Sequence, residues 1–265
     1  MINVLLVFIK NNMNPILSII IPAYNEEKRI EKTLRYISDF LRSKNISFEI
    51  IVVANNCTDN TVLLLNNLKN SSMPEIITIN IPREGIVGNM KGYAIGVGMK
   101  RAIGDYHIFI DADNATRFDV VLDFINDIDN GFDVVIGSRY IKGSYVVKKQ
   151  PLYRIILSRL GNILIQALLI PGIYDTQCGF KMFSKKASKD IFERTIVSGW
   201  GADLEMLTIA KIFNYKIKEA PVYWEAQDKS TLNSNAFLYT LKELFTIRKN
   251  LYSGIYNKDL KIIDK

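Results

Sequence analysis

Residues 17–26 read LSIIIPAYNE: an apolar run ends at Pro22, and a polar turn follows at once. The same order of apolar run, polar turn and helical spacing recurs through the first half of the chain. The further predicted strands are residues 49–53, 76–81, 106–110 and 133–136, and the predicted helices are residues 26–40, 61–68, 91–102 and 120–128. Strands that alternate with helices in this way predict an α/β fold, in which a mostly parallel sheet carries helices on both faces.

The composition of the 265-residue chain suits one large domain with an anionic partner. Apolar residues make up 48% of the chain, and the formal net charge is +7. A basic surplus attracts nucleotide phosphates, nucleic acid or anionic lipid headgroups, and it does not choose among them. The two cysteines, Cys57 and Cys178, have no metal-ligand spacing and are expected to be reduced thiols of a cytoplasmic protein.

Membrane-spanning segments are not expected, because no apolar stretch reaches the roughly 20 residues that a spanning helix needs. Residues 1–9 are apolar but short, and they are expected to form a terminal strand or a disordered lead-in.

Polar side chains follow four of the five predicted strands, at the end where ligands bind in open α/β sheets. The stretches concerned are residues 22–26, 54–59, 111–113 and 137–139. Turn and helix-cap chemistry accounts for any one of them, since Asn, Asp, Ser and Thr favour such positions. Four such stretches at four strand ends favour a binding site along that edge of the sheet.

The pair Asp111 and Asp113, separated by Ala112, comes directly after the apolar run 106–110. Two carboxylates so close together repel each other unless a cation compensates them. Mg²⁺ and Mn²⁺ prefer oxygen ligands and commonly bridge carboxylates to a substrate diphosphate. A D-x-D motif by itself is more often a turn, but its position after a buried strand favours a metal site.

These motifs together resemble family 2 glycosyltransferases, which have the GT-A fold. The resemblance starts with residues 17–26, continues through 52–61, Lys91-Gly92, 111–113 and 137–140, and covers about residues 16–250. Three stretches are most similar to dolichyl-phosphate glucosyltransferases: DADNAT at 111–116, DTQCGFK at 175–181 and WGADLE at 200–205. The dolichyl-phosphate mannosyltransferases are the nearest other relatives.

The resemblance implies a role for individual residues. Donor binding is implied for Pro22, Ala23, Tyr24, Glu26, Asn55, Asp59, Lys91, Asp111, Ala112, Asp113 and Lys229. Asp111 and Asp113 are implied to hold Mg²⁺ or Mn²⁺, with Asp113 the more direct ligand. Acceptor binding is implied for Arg139, Gln177 and Lys181, and the implied catalytic residues are Asp113, Asp203 and Arg139. Asp203 is expected to shape the site rather than abstract a proton, because a lipid phosphate is already ionised.

Two positions depart from the family pattern. The family usually has Asp-Asp-Gly-Ser after the second strand, where this chain has Ala54-Asn55-Asn56-Cys57. An amide both donates to and accepts from a base edge, so nucleotide binding is retained as an expectation while the choice of base stays open. The family commonly has Gly-Ser-Lys near the C-terminus, where this chain has Lys229-Ser230-Thr231, so the phosphate contact is assigned to Lys229.

A basic, amphipathic segment at residues 142–170 predicts contact with a membrane surface. No acidic residue occurs between Val134 and Tyr174, and an apolar helical face runs through Leu152 to Leu168. An ordinary core-facing helix explains the apolar face alone, but its combination with a basic run is typical of interfacial segments. Arg154 and Arg159 are therefore further candidates for binding a lipid phosphate. No nucleic-acid partner is expected, since no recognised module for one occurs.

The sequence thus predicts an inverting glycosyltransferase that moves a hexose, expected to be glucose from UDP-glucose, onto polyprenyl phosphate at the cytoplasmic face of a membrane. The predicted organisation is a lead-in at 1–15, a GT-A domain at 16–225 and a C-terminal helical extension at 226–265. The alternatives left open are mannosyl transfer from GDP-mannose, transfer to a surface polysaccharide, and a catalytically silent nucleotide-sugar-binding protein. A dinucleotide-dependent dehydrogenase is disfavoured, because no Gly-x-Gly-x-x-Gly follows the first strand.

Overall fold

The computed structural model describes residues 14–82, 90–147, 152–225 and 235–257, with the backbone alone for 152–158 and 235–237. Most of the expected lead-in therefore lies outside the described residues. Within the described part of the chain, no helix combines the length and the apolar character needed to cross a membrane.

The main sheet contains seven of the described strands, in the order β3-β2-β1-β4-β7-β5-β8. The strands are β1 (Leu17–Ala23), β2 (Phe48–Asn55), β3 (Ile76–Ile81), β4 (Tyr106–Ile110), β5 (Val134–Ser138), β6 (Tyr145–Val146), β7 (Phe180–Ser184), β8 (Ile217–Pro221) and β9 (Tyr223–Trp224). Short strands β6 and β9 pair in parallel beside the main sheet. The mostly parallel sheet predicted from the sequence is confirmed.

Eight α-helices connect and cover these strands in the described residues. They are α1 (Ile30–Ser43), α2 (Thr61–Ser71), α3 (Lys91–Arg101), α4 (Val121–Asp129), α5 (Leu152–Leu168), α6 (Lys185–Phe192), α7 (Ala202–Ile212) and α8 (Asn235–Tyr252). Helix α8 lies in the region expected to be a C-terminal helical extension.

Two apolar cores lie on opposite faces of the sheet, because neighbouring residues of a strand point to opposite faces. Ile19 and Ile50 belong to one core, with α1, α2 and α4 packed against it. Ile20 and Ile51 belong to the other, which α3, α5, α6, α7 and α8 cover. Each such fully buried side chain contributes about 1.5–3 kcal/mol through apolar burial.

The prediction that a helix starts at Glu26 is wrong, since α1 begins at Ile30. The backbone N–H of Glu26 donates to Thr61 Oγ1 at 2.8 Å, and that of Glu27 donates to Asp59 Oδ2 at 3.1 Å. These contacts with the start of α2 hold the segment as a loop.

Strand β7 departs from the parallel pattern and is antiparallel to both of its neighbours, β4 and β5. Strands β1, β2, β4 and β5 remain parallel to one another, so their carboxyl ends meet at one edge of the sheet. The antiparallel insertion brings the chain before β7 to that same edge, beside the end of β4.

Candidate active site

The two carboxylates of the D-x-D motif lie where β4 ends, and both are held in place by the loop around them. The backbone N–H of Asp111 donates to the carbonyl of Gly179 at 3.1 Å. Asp113 Oδ1 accepts from the backbone N–H of Ala115 at 3.0 Å. Thr33 Oγ1 donates to the carbonyl of Ala112 at 2.8 Å, which ties the motif to α1.

Lys91 compensates part of the negative charge at the motif. Its Nζ lies 2.7 Å from Asp111 Oδ1. Burial lowers the pKa of Lys91, but the charges of Asp111, Asp203 and Asp113 outweigh it and raise that pKa above its ordinary value. Lys91 therefore remains charged and fixes the carboxylate of Asp111.

The carboxyl of Asp113 is the less compensated member of the pair. Burial and the charge of Asp111 raise the pKa of Asp113. Three weaker effects lower that pKa without reversing the shift: the N–H of Ala115 and the charges of Arg29 and Lys91. A carboxyl with a raised pKa binds a proton more tightly than usual, and a cation displaces that proton. Asp113 thus has the chemistry of a metal ligand.

Gly179 leaves the space in which the Asp111 side chain lies. A Cβ at this position would come within 1.9 Å of Asp111 Oδ2 and 2.3 Å of its Cγ. The glycine before β7 is therefore required by the close approach of the backbone to the carboxylate.

The loops after β1 and β2 are joined by side-chain hydrogen bonds. Asn25 has a left-handed backbone with φ of 55°, and its Oδ1 accepts from the N–H of Thr58 at 2.8 Å. Tyr24 extends from the same loop and is 56% exposed. Pro22 and Ala23 lie at the end of β1, and half-buried Asn55 ends β2. The predicted nucleoside-binding residues therefore meet at one edge.

The carboxylate of Asp59 connects these two loops through hydrogen bonds. Its carboxylate accepts from the N–H and Oγ1 of Thr61 and from the N–H of Glu27. Burial raises the pKa of Asp59, but these hydrogen bonds outweigh it and lower that pKa overall. These hydrogen bonds give Asp59 a structural role at the predicted donor site.

Glu26 forms an ion pair with Arg29 at the start of α1. Arg29 lines an open cleft together with Asp113, and this cleft encloses about 1040 Å³ including its mouth. Its other charged lining residues are Lys28, Lys32, Arg117 and Glu225. The cleft beside Asp113 is therefore predominantly basic and suits an anionic ligand.

Trp200 covers Lys91 from the other side of the site. The Nζ of Lys91 lies 5.6 Å from the centre of the Trp200 indole ring. The loop that carries Trp200 is held by Glu243 of α8, whose Oε2 accepts from the N–H of Gly201 at 2.6 Å. A Cβ on Gly199 would lie 2.2 Å from Glu243 Oε1, so this loop fits the carboxylate closely.

Lys181 and Asp203 form a buried ion pair beneath the site. The Nζ of Lys181 contacts Asp203 Oδ1 and donates to the carbonyl of Cys178 at 2.6 Å. The Lys181 side chain is fully buried, so the predicted contact between Lys181 and the acceptor is replaced by a structural one. The ion pair also holds the carboxylate of Asp203 in place.

Arg139 directly follows β5, and Asp175 binds one edge of its guanidinium through two hydrogen bonds. Its Nε lies 2.7 Å from Asp175 Oδ2, and its Nη2 lies 2.8 Å from Asp175 Oδ1. Burial lowers the pKa of Arg139, but the charge of Asp175 outweighs it and raises that pKa. The guanidinium stacks on Tyr140 and on Trp224, with centroid distances of 5.4 and 5.2 Å.

Arg159 lies over the Tyr140 ring as well, at 4.1 Å from its centre. Arg139 and Arg159, two of the three arginines predicted for the acceptor phosphate, therefore share one aromatic side chain. Trp224, on which Arg139 stacks, lines a small pocket together with Asp111 and Gly179. Gln177 is exposed just before β7, whereas the side chain of Arg154 and all of Lys229 lie outside the described residues.

A model of glycosyl transferase family 2 matches residues 18–192. The chain belongs to this family. A dolichyl-phosphate beta-glucosyltransferase of Dictyostelium discoideum is 32% identical to it, over 92% of this chain and 79% of that protein. One from Trichomonas vaginalis is 35% identical, over 87% of this chain and 72% of that protein. The human one is 29% identical, over 91% of this chain and 77% of that protein.

Solved structures show that this family 2 glycosyltransferase has the GT-A fold. Glucosyl-3-phosphoglycerate synthase of Mycobacterium tuberculosis, solved with UDP, superposes with a TM-score of 0.65 at 16% identity, over 89% of this chain and 80% of that chain. A complex of the same enzyme with Mn²⁺, UDP-glucose and glycerol 3-phosphate gives a TM-score of 0.58 at 16% identity, over 92% of this chain and 79% of that chain.

Several residues at the site of this glycosyltransferase were not predicted from the sequence: Arg29, Gly179, Trp200, Trp224 and Glu243. Gly179 and Trp200 lie inside motifs that had been recognised, so a signal for them was present. Trp224 and Glu243 come from a short strand and a C-terminal helix that carry no motif. Their contribution depends on contacts with distant parts of the chain.

Proposed function

We propose that this chain transfers glucose from UDP-glucose to a polyprenyl phosphate with inversion at the anomeric carbon. The observation that supports it most is the pair of Asp111 and Asp113 beside Lys91, at the carboxyl edge of a family 2 sheet. The likeness to dolichyl-phosphate beta-glucosyltransferases over most of the chain supports the choice of sugar and acceptor.

Asp111 and Asp113 fit a divalent cation, Mg²⁺ or Mn²⁺. Their oxygens are the ligand type that these ions prefer. Burial, and after it the charge of Asp111, raises the pKa of Asp113. Among the described residues no group of three or more His, Cys, Asp or Glu side chains is placed to hold a metal, so the donor diphosphate and water are expected to supply the remaining ligands. When bound, the ion stabilises the charge on the departing diphosphate.

The donor is held by the chain's own loops in this account. Tyr24 and Asn55 provide an exposed ring and an amide at the carboxyl edge, where the nucleoside binds. Lys91, fixed by Asp111 and covered by Trp200, places a permanent positive charge beside the diphosphate. Such positioning and charge stabilisation supply most of the catalysis, because the leaving group departs with the electron pair of the broken glycosidic bond.

The acceptor needs positioning and no general base. A polyprenyl phosphate oxygen is already ionised at neutral pH, and it attacks the anomeric carbon directly. Asp203 cannot readily serve as a base, since its carboxylate is paired with buried Lys181. Arg159 and Arg139, stacked on Tyr140, are the residues proposed to bind the acceptor phosphate.

Peripheral attachment to a membrane brings the enzyme to its lipid acceptor. Helix α5 exposes Leu160, Ile163 and Arg159, which is the mixture of apolar and basic side chains that interfacial helices present. We propose that the segment 142–170 contacts the membrane, and that attachment at the cytoplasmic face follows from a cytosolic donor.

The choice of donor is tested by calorimetric titration of the purified chain with UDP and with GDP, each with Mg²⁺. The proposal expects tighter binding of UDP. Tighter binding of GDP moves the assignment to mannosyl transfer, and no binding of either nucleotide refutes the proposed donor site.

The acceptor site is tested by changing Arg139 and Arg159 to lysine, one at a time. Lysine keeps the charge but cannot reproduce the directed hydrogen bonds of a guanidinium, which at position 139 include the two to Asp175. Each change is expected to raise the KM for polyprenyl phosphate and to leave nucleotide affinity unchanged. A selective loss of nucleotide affinity assigns the altered arginine to the donor diphosphate instead.

A further inference from the structure

Helix α8 presents an exposed stripe along its outer face. The stripe consists of Leu238, Lys242, Phe245, Lys249 and Tyr252, which are all exposed. Their spacing of four, three, four and three residues places them on one side of an α-helix. Leu238, Phe245 and Tyr252 are 63%, 55% and 74% exposed, so apolar and aromatic surface alternates with positive charge along this face.

The opposite face of α8 packs into the protein. Leu244 and Ile247 belong to the core beneath the sheet, and Glu243, the helix's one carboxylate, points to the loop of Gly199 and Gly201. The acidic side chain is therefore used inside the molecule, and the α8 stripe carries two lysines and no carboxylate.

Helix α5 lies beside α8 on the same face of the sheet. An Nη1 donor of Arg248 contacts the carbonyl of Leu168 at the end of α5. Ile165 and Leu169, from α5 and the residue after it, share a core with Leu244 and Ile247. Both helices thus turn buried sides toward one core, and both expose apolar and basic side chains outward.

The chemistry of the α8 stripe fits an anionic lipid surface. Lysine stems extend along apolar surface while their ammonium groups reach headgroup phosphates, and Leu and Phe side chains insert between lipids. A second copy of the chain fits less well, because a two-fold contact of this face with itself would bring lysines together without a carboxylate to compensate them.

We propose that the α8 stripe is a membrane-contact surface that binds anionic phospholipid headgroups and orients the active site toward the lipid acceptor. It deepens the proposed function by adding a contact outside the segment 142–170. Vesicle binding is measured without turnover, so a failure of this proposal and a failure of the proposed reaction are distinguishable.

The test compares two triple variants of the full chain in sedimentation with phosphatidylcholine vesicles containing phosphatidylglycerol. The first, Lys242→Gln with Phe245→Ser and Lys249→Gln, alters the α8 stripe. The matched control, Lys44→Gln with Leu63→Ser and Lys69→Gln, makes the same changes in charge at exposed positions on the α1 and α2 side of the sheet.

The stripe variant is expected to bind anionic vesicles at least about 25-fold more weakly than the parent, since two basic residues near an anionic surface contribute about fivefold each. The control should bind within about threefold of the parent. The stripe variant should also keep the parent's melting temperature, which shows that it folds.

Equal weakening in both variants overturns the proposal, because general charge then explains binding. Unchanged binding by the stripe variant overturns it as well. A dimer of the parent, seen by light scattering without vesicles and lost in the stripe variant, assigns this face to a second copy of the chain and also overturns it.

Discussion

The substitution Gly179→Ala tests whether the position of the Asp111 carboxylate controls the reaction. The added Cβ would lie 1.9 Å from Asp111 Oδ2, whereas ordinary contacts begin near 3.4 Å. The carboxylate must therefore retreat by about 1.5 Å, and its 2.7 Å contact with Lys91 cannot persist unchanged. Misplacement of about 1 Å at a reacting centre costs on the order of 10²-fold in rate, so a loss of that size is expected.

A matched control is Gly96→Ala in α3, where the added Cβ would meet its nearest neighbour, Thr195 Oγ1, at an ordinary 3.7 Å. Alanine inside a helix is favoured over glycine by about 0.5–1 kcal/mol, so this control should be as stable as the parent or more stable. Initial rates of lipid glucosylation and thermal unfolding are measured for the parent and both variants. A folded Gly179→Ala enzyme that keeps more than a third of the parent rate refutes the reasoning.

Further substitutions separate charge in the site from charge beneath it. Asp113→Asn should lower turnover by about 10²–10³-fold, and unchanged turnover contradicts the proposed role of Asp113. The same change should raise the melting temperature near neutral pH. Burial and the charge of Asp111 raise the pKa of the native carboxyl, so its ionised form is unfavourable in the folded protein. Lys181→Met should lower the free energy of unfolding in urea by about 3–5 kcal/mol, because it leaves the buried carboxylate of Asp203 without its partner. Adding Asp203→Leu should recover most of that loss. Burial raises the pKa of Glu205 from 4.5 to about 7, so the stability it contributes is present below pH 4.5 and is lost as pH rises through about 7. Glu205→Gln should flatten that dependence, which amounts to about 3 kcal/mol, and an unchanged pH profile of unfolding speaks against the raised pKa.

The strand ends and the D-x-D motif could be predicted because their signals are local. Asp111 and Asp113 follow an apolar run typical of a buried strand, and parallel strands align their carboxyl ends. The resemblance to family 2 rested on the same short motifs. The family match over residues 18–192 and the GT-A fold confirm that part of the prediction.

The contacts of Arg139 and Lys181 could not be predicted in this way. Arg139 is separated from Asp175 by 36 residues, and Lys181 is separated from Asp203 by 22. Both pairings depend on the antiparallel insertion of β7, which no local pattern specifies. The sequence alone therefore assigns Lys181 to substrate, although the fold buries its side chain in an ion pair, and it does not reveal that Arg139 is also held by Asp175.

Mass spectrometry of the lipid product decides whether the chain glucosylates polyprenyl phosphate. The purified chain is incubated with polyprenyl phosphate, Mg²⁺ and either UDP-glucose or GDP-mannose, and Asp113→Asn is run in parallel. We expect a polyprenyl phosphate heavier by one hexose from UDP-glucose with the parent, little from GDP-mannose, and a product reduced about 10²–10³-fold with Asp113→Asn. No hexosyl lipid from UDP-glucose, or an equal yield from the Asp113→Asn enzyme, would contradict the proposed function.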